Sequence, residues 1–319
     1  MNDLDIVSIG IVVADAIARP VRGTAGKGQL ELVDELLLCS GGSAASTGYA
    51  LARFGVRSAV IGRVGQDGFG DFLVNEARRH GAEGLLIRDA GAATSATQVL
   101  VDAEGERTFI HAIGANARLV PADVPLEELR KRGAKILHLA GFFALPGMDN
   151  PDGLPVADLF ARATELGLTT SLDNVWDATG NWSRIHAPLR HSDFFFPSLP
   201  DAQHISGEQE PKAIAHKLLA LGVRKAVAIK LGPEGSLVMN RQGEWYRLGV
   251  LNVPSVDGTG AGDAFIAGFL AGQLKGLGLV ECGKLGTAGG AMAVRAMGAM
   301  PGITDWNELQ AMARAVPLL

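Results

Sequence analysis

The residues best suited to chemistry lie in one run near the C-terminal end, Val256-Asp257-Gly258-Thr259-Gly260-Ala261-Gly262-Asp263. Gly258, Gly260 and Gly262 remove side chains where the backbone must approach something closely or adopt unusual torsions. From Ala264 to about Leu274 the residues are good helix formers with an apolar face. The run therefore presents unpaired N–H groups at a helix N-terminus, where the helix dipole adds positive charge. Such an end receives anions, phosphate most often. Asp263 sits in the first turn, beside the same amides. Two readings of it stand. It is a helix cap, or it is a general base that strips a hydroxyl while the amides stabilise charge on a transferring phosphoryl.

The elements that must hold this run in place read as an α/β chain. Residues 6–13 are a near-continuous β-prone run, expected as a buried parallel strand that ends at Ala14-Asp15. A carboxylate at the C-terminal end of a first strand is where such folds place ligand contacts. Residues 16–40 are broken by Pro20, Gly23, Gly26 and Gly28, and 29–33 and 35–39 read as extended strands outside the main sheet. Gly41-Gly42 opens a second Gly-led helix with small residues in its first turns, stopped by Gly55 and followed by a strand over 58–62. Gly65 to Gly70 leads into a helix to about His80. Residues 94–101 and 107–111 read as a hairpin around 102–106, a second excursion that pairs with the first as a lid. From about 125 onward, helices 125–132, 151–166, 182–190 and near 200–221 alternate with strands 135–140, 168–173, 193–196 and 224–230. That alternation implies a parallel sheet. A hairpin (234–239 with 244–248) and three closing helices complete the chain.

Composition narrows the function classes. With 47% hydrophobic residues the 319-residue chain can bury a sizeable core. A net charge of −5 and a pI near 5.8 argue against a nucleic-acid or anionic-membrane surface. No apolar run reaches the roughly 18 residues of a membrane span. The acidic N-terminal residues enter a strand directly, unlike a secretory signal. Cys39 and Cys282 are far apart and form neither a disulfide framework nor a metal set, so a reducing cytoplasm is expected. The seven His residues lack metal-ligand spacing. Val227-Ala228-Ile229-Lys230 spells a protein-kinase strand motif but no His-Arg-Asp loop follows it. Gly23 to Gly28 hints at a Walker loop without its spacing or final Ser/Thr.

With these residues in hand, the chain resembles the ribokinase-like (PfkB) family of carbohydrate and nucleoside kinases over essentially its whole length. Asp257-Gly258-Thr259-Gly260-Ala261-Gly262-Asp263 is similar to that family's C-terminal signature, and Gly41-Gly42 through Gly55 to Gly62 and Gly65 is similar to its N-terminal one. The resemblance implies one doubly wound, mostly parallel α/β domain over 1–319, with a small β lid from about 16–40 and 94–112. It implies Asp263 as catalytic base and the amides of Gly260, Ala261, Gly262 and Asp263 as an anion hole. It implies an acceptor pocket with Asp15, Gly41, Gly42, Ser46 and the lid residue Arg107. Asp173 and Asn174 are implied to face the phosphates and metal, Asn174 with Ser198, Lys230, Gly232, Gly235, Thr259 and Thr287 at the nucleotide, and Asp201 at Mg2+ through water. K+ beside the loop carrying Asp257 is a further expectation.

The activity implied is ATP-dependent phosphorylation of a hydroxymethyl group of a small ribose- or fructose-like sugar, in a cytoplasmic homodimer joined through the lid. A nucleoside kinase of the same fold is the alternative, and a non-catalytic ligand-binding protein the second. Three departures stand out. Gly258 replaces Thr, Ser46 replaces Asn, and Ser198 and Asp201 replace Asn and Glu.

Overall fold

In a computed structural model that describes residues 3–23 and 27–319, thirteen strands form two sheets. In chain order they are β1 (Ile6–Gly10), β2 (Val13–Val21), β3 (Glu35–Gly41), β4 (Ser58–Gly65), β5 (Glu83–Asp89), β6 (Ala96–Asp102) and β7 (Arg107–Ala112). There follow β8 (Ile136–Phe142), β9 (Thr169–Asn174), β10 (Phe194–Phe195), β11 (Ala226–Lys230), β12 (Ser236–Asn240) and β13 (Trp245–Leu248). The larger sheet has the order β13-β12-β11-β10-β9-β8-β1-β4-β5, parallel from β5 to β11 and antiparallel at β12 and β13. The smaller has the order β3-β2-β6-β7.

Side-chain alternation distributes the core over both faces of the larger sheet. Phe194 and Phe196 join one apolar cluster with Phe265 and Phe269, while Phe195 between them joins the other with Phe142 and Phe160. Helices cover both faces, so the parallel strands read as unbroken apolar runs. Strand β1 is the switch point: its neighbours β4 and β8 lead off to opposite sides, which opens a crevice at the C-terminal strand ends. The helix Ala261–Leu274 is buried along most of its length and starts near that crevice.

Several boundaries differ from expectation. The first strand stops at Gly10, not Val13, because Gly10 adopts φ 138 and a side chain there would overlap the Ala140 carbonyl. The chain then leaves the larger sheet, so Asp15 lies on β2 of the smaller sheet and not at the end of a main-sheet strand. Residues 29–33 form no strand; Leu30 and Leu32 are exposed, with no sheet to pack on. Pro20, expected as a breaker, lies within β2 at a register shift between Ala18 and Val21. Strand β5 was not anticipated, since residues 83–89 carry no alternation, and four of them are only partly buried. The helix expected over 151–166 starts at Leu154, behind a short helix Pro146–Asp149. Of the Walker-like stretch, residues 24–26, including the expected breaker Gly26, lie outside the described residues.

Candidate active site

The decisive local fact is how the helix Ala261–Leu274 begins. Gly260 caps it in the left-handed conformation (φ 76), and no side chain caps it. Asp263 therefore does not serve as its own helix's cap, and its carboxylate is free for other work. That carboxylate accepts a hydrogen bond from the Ser46 hydroxyl, on the facing helix Ser43–Arg53. Burial first, and the nearby Asp173 second, raise its pKa to about 8; Lys230 and Ser46 oppose the rise.

On one side of this helix start lies a cavity of about 560 Å³. Its rim carries Lys230, Gly232 and Gly235 from the end of β11 and the turn after it, and Ala261 and Gly262 from the helix start. Its far wall is apolar, with Val250, Leu251, Phe265 and Val294. The Thr287 hydroxyl also lines it, 3.1 Å from that of Ser236. A side chain at Gly262 would sit 3.3 Å from the Lys230 ammonium, so this cation lies against the helix N-terminus. Lys230 is fixed there by Asp173 on β9, Nζ to Oδ1 2.8 Å. Burial raises the Asp173 pKa, and the Lys230 ammonium opposes that. The neighbouring His138 is driven down to about 3, by burial and then by Lys230, so it is neutral and adds no charge.

On the other side lies a smaller cavity of about 270 Å³, between the smaller sheet and the same helix start. It is lined by Asp15, Gly41, Gly42, Ser46 and Asp263, among others. Gly41 is a close-approach position: a Cβ there would overlap Oδ2 of Asp15. Asp15 is steadied by a hydrogen bond from Thr97, its register partner across β2 and β6. Burial nonetheless raises its pKa. Arg107 on β7 crosses from the smaller sheet to the loop before the helix. Its Nη2 lies 2.6 Å from Asp257 Oδ1, and its Nη1 donates to Thr259 Oγ1 at 2.7 Å. The backbone N–H groups of Thr259 and Gly298 complete the shell around Asp257.

The structure thus brings most of the expected residues to two cavities that meet at one helix start. Thr259, expected with the nucleotide, faces the smaller cavity and Arg107 instead. Asp257, expected beside K+, has its carboxylate taken by a guanidinium and two amides. Gly260 packs on Ala299 and lines neither cavity. Asn174, Ser198 and Asp201 also line neither. Ser198 caps the helix Leu199–Ser206, donates to Asp201 Oδ2 at 2.7 Å, and bridges to Lys230. Asn174 Oδ1 is buried without a partner. Thr97 escaped sequence reasoning as part of the site, and so did the pairing of Asp173 with Lys230, although Asp173 itself was expected at the phosphates and metal. Asp173 acts through a partner 57 positions away, and Thr97 only across a strand pair. Neither relation has a local signal.

A kinase is what two cavities meeting at one helix start, one lined by its first residues and the other by its carboxylate, would serve, and comparison decides the matter. The pattern of the pfkB family of carbohydrate kinases matches residues 3–306. The chain belongs to that family. An ATP-dependent 6-phosphofructokinase of Thermoanaerobacterium thermosaccharolyticum is 30% identical over 281 residues, which cover 85% of this chain and 84% of that protein. An uncharacterised sugar kinase of Archaeoglobus fulgidus is 28% identical, covering 79% of this chain and 97% of that one. The ribokinase of Thermotoga maritima superposes with a TM-score of 0.81 at 25% identity, covering 98% of this chain and 99% of that structure. This pfkB-family protein is an ATP-dependent sugar kinase, a phosphotransferase with an alcohol group as acceptor. Its fold is the ribokinase-like one, with a mostly parallel nine-stranded sheet flanked by helices. Among the described residues no helix is long and apolar enough to cross a membrane.

Proposed function

We propose that this kinase phosphorylates a hydroxymethyl group of a small ribose- or fructose-like sugar, with Asp263 as general base. The observation that carries the proposal is the shared helix start: Ala261 and Gly262 line the larger cavity and Asp263 the smaller. ATP would lie in the larger cavity, its base against Val250, Leu251 and Phe265 near Thr287, and its phosphates toward Lys230, Gly232, Gly235 and the helix start at Ala261 and Gly262. The sugar would lie in the smaller one, with hydroxyls on Asp15 and its hydroxymethyl group at Asp263. Asp263 takes the hydroxyl proton as the oxygen attacks the γ-phosphorus in line, and the amides and Lys230 hold the spreading charge. Ser46 keeps the carboxylate aimed.

A structure of a ribokinase-like protein from E. coli contains ATP and Mg2+. The partnerless Asn174 Oδ1 and the Asp201 carboxylate fit a hydrated Mg2+ here, which would draw charge from the phosphoryl oxygens. K+ is left out of the proposal, because Arg107 already supplies Asp257 with a counter-charge. The four strands of the smaller sheet, with expected bounds 16–40 and 94–112, would act as the lid of one kinase domain spanning 1–319. Leu36 and Ile110 of that sheet are exposed, which supports a homodimer through the lid. The unpaired cysteines Cys39 and Cys282 suit a reducing cytoplasm. A nucleoside acceptor is the second reading, favoured by Phe109, Val99 and Val101 on the smaller cavity. A coupled ADP-release screen over sugars and nucleosides, with K+ or Na+, tests all of this. Release with no acceptor of either kind removes the proposal, and release with nucleosides alone replaces it with the second reading.

A further inference from the structure

Asp257 is a buried carboxylate in the turn that leads to Gly260, the cap of the helix Ala261–Leu274. The turn hangs on the Val294 carbonyl, which accepts from the N–H groups of Val256 at 2.7 Å and Asp257 at 3.2 Å. Burial works against the charge on Asp257. Hydrogen bonds from Gly298, Thr259 and Arg107 outweigh burial and hold its pKa below the ordinary carboxylate value. Donors fill its oxygens. Arg107 Nη2 lies 2.6 Å from Oδ1, the Thr259 N–H donates to the same oxygen at 2.7 Å, and the Gly298 N–H donates to Oδ2 at 2.7 Å. Arg107 Nη1 donates to Thr259 Oγ1, also at 2.7 Å. The K+ expected beside this loop would need oxygens with lone pairs to spare. The side-chain oxygens it would draw on are the ones that the guanidinium and the amides hold, so K+ does not fit these residues. Among the described residues no second cation forms an ion pair with Asp257. Arg19, on β2, turns to Glu35 and Met297.

We propose that Arg107 is a positioning residue that serves as the tethered counter-ion of the 257–259 turn, so that the kinase needs no monovalent cation to shape the start of its helix. The proposal rests on the placing of ATP over that helix start. The counter-ion comes from β7 of the smaller sheet, 152 positions before Thr259, so the turn is complete only with that sheet seated on it. A guanidinium suits the task because its fork engages the carboxylate and the hydroxyl together, which a point charge does less well. Without it a buried carboxylate loses its partner, and the turn either admits a cation from solution or distorts.

The test is cation rescue. ATP kinetics, ADP calorimetry and thermal unfolding are measured in tetramethylammonium, Na+, K+ and dilute guanidinium chloride for wild type, Arg107→Ala and Arg107→Lys. Wild type is expected to turn over equally in the first three salts. In tetramethylammonium Arg107→Ala should lose about tenfold to a hundredfold in kcat/KM for ATP. K+ or guanidinium should restore several-fold of that and raise the Tm of this variant alone. Arg107→Lys, which keeps a charge, should lose less and not respond to K+. Should Arg107→Ala fail to fold, Arg107→Gln, which loses the charge and keeps a donor, is read in its place. Wild-type turnover that climbs about tenfold with K+, a loss that no cation restores, or a loss confined to the acceptor KM overturns the proposal. A Tm of the variant that rises with K+ in a protein that binds no ADP upholds the counter-ion and retires the placing of ATP.

Discussion

The two cavities that meet at the helix Ala261–Leu274 are built on opposite plans. The larger offers a cation, a helix N-terminus and an apolar wall; the smaller offers carboxylates and hydroxyl-sized space. In each, a glycine makes room for the charged group beside it, Gly262 for Lys230 and Gly41 for Asp15. The lesson is a division of labour by charge. On the proposed reading phosphates would be drawn to one side of the helix start and hydroxyls to the other, so the reacting atoms would meet only at Asp263. Each prediction below perturbs one side and asks whether the other notices.

The largest effect is expected where the two sides join. Asp263→Asn should lower kcat about 10²–10⁴-fold, the usual worth of a positioned base. ADP affinity, read by calorimetry, should be unchanged, because the amides and Lys230 remain. The same variant should be more heat-stable at pH 8. The folded protein holds the Asp263 proton up to about pH 8, whereas the unfolded chain loses it in the ordinary carboxylate range. Folding stability is thus lost as pH rises between those limits, and the amide avoids that loss. A gain of about 2–4 °C in Tm would fit; a lower Tm, or turnover near wild type, would remove Asp263 as the buried base.

The donor side comes next. Lys230→Met should cost about a hundredfold in kcat/KM for ATP, comparable to deleting one preorganised donor to a developing charge. It also strands Asp173, which is buried, so Asp173→Asn combined with Lys230→Met separates loss of the cation from an unpaired carboxylate. If acceptor binding falls as steeply as nucleotide binding, the division between the cavities is not real.

How much of this could be read from the sequence follows the same division. The helix start was legible because its glycines and carboxylate are adjacent in the chain, and so were the parallel alternation after residue 125 and both hairpins. What could not be read depends on torsions or on distant partners. The apolar run 6–13 looks like one strand, but Gly10 turns it out of the sheet and carries Asp15 to the smaller one. Ser46 was expected in the acceptor pocket and lines it, but its hydroxyl also reaches Asp263, 217 positions on, a pairing created only when two helices face each other. Lys230 was assigned to a turn under the nucleotide, but its fixed position comes from Asp173 on another strand. Local chemistry is written locally, and charge neutralisation is not.

A crossed pair of small changes sharpens the comparison. Gly41→Ala places a Cβ against the Asp15 carboxylate and should raise the acceptor KM about tenfold or more, since misplacement by about 1 Å is costly. Gly262→Ala places one 3.3 Å from the Lys230 ammonium and should raise the nucleotide KM instead. Steady-state kinetics with each substrate varied in turn read the split. Equal effects on both KM values in either variant would mean that the helix start itself has moved.

The smallest expected effect is on pH, and its sign is fixed by the charges. The general base must be ionised to work, and burial together with Asp173 holds the Asp263 pKa up to about 8. In the free enzyme the ionised fraction is then about a tenth at pH 7 and a half at pH 8, so acceptor kcat/KM should rise about fivefold over that unit. The rise belongs to the donor side as much as to Asp263, because the second-largest cause is Asp173 on that side. Asp173→Asn removes this repulsion and also frees Lys230, and both changes favour the ionised base. The acid limb should therefore move to lower pH in that variant, while Asp15→Asn should leave its position alone. A limb that moved with Asp15 and not with Asp173 would mean that the titrating base answers to the acceptor cavity alone and is not coupled to the Asp173–Lys230 pair behind the other.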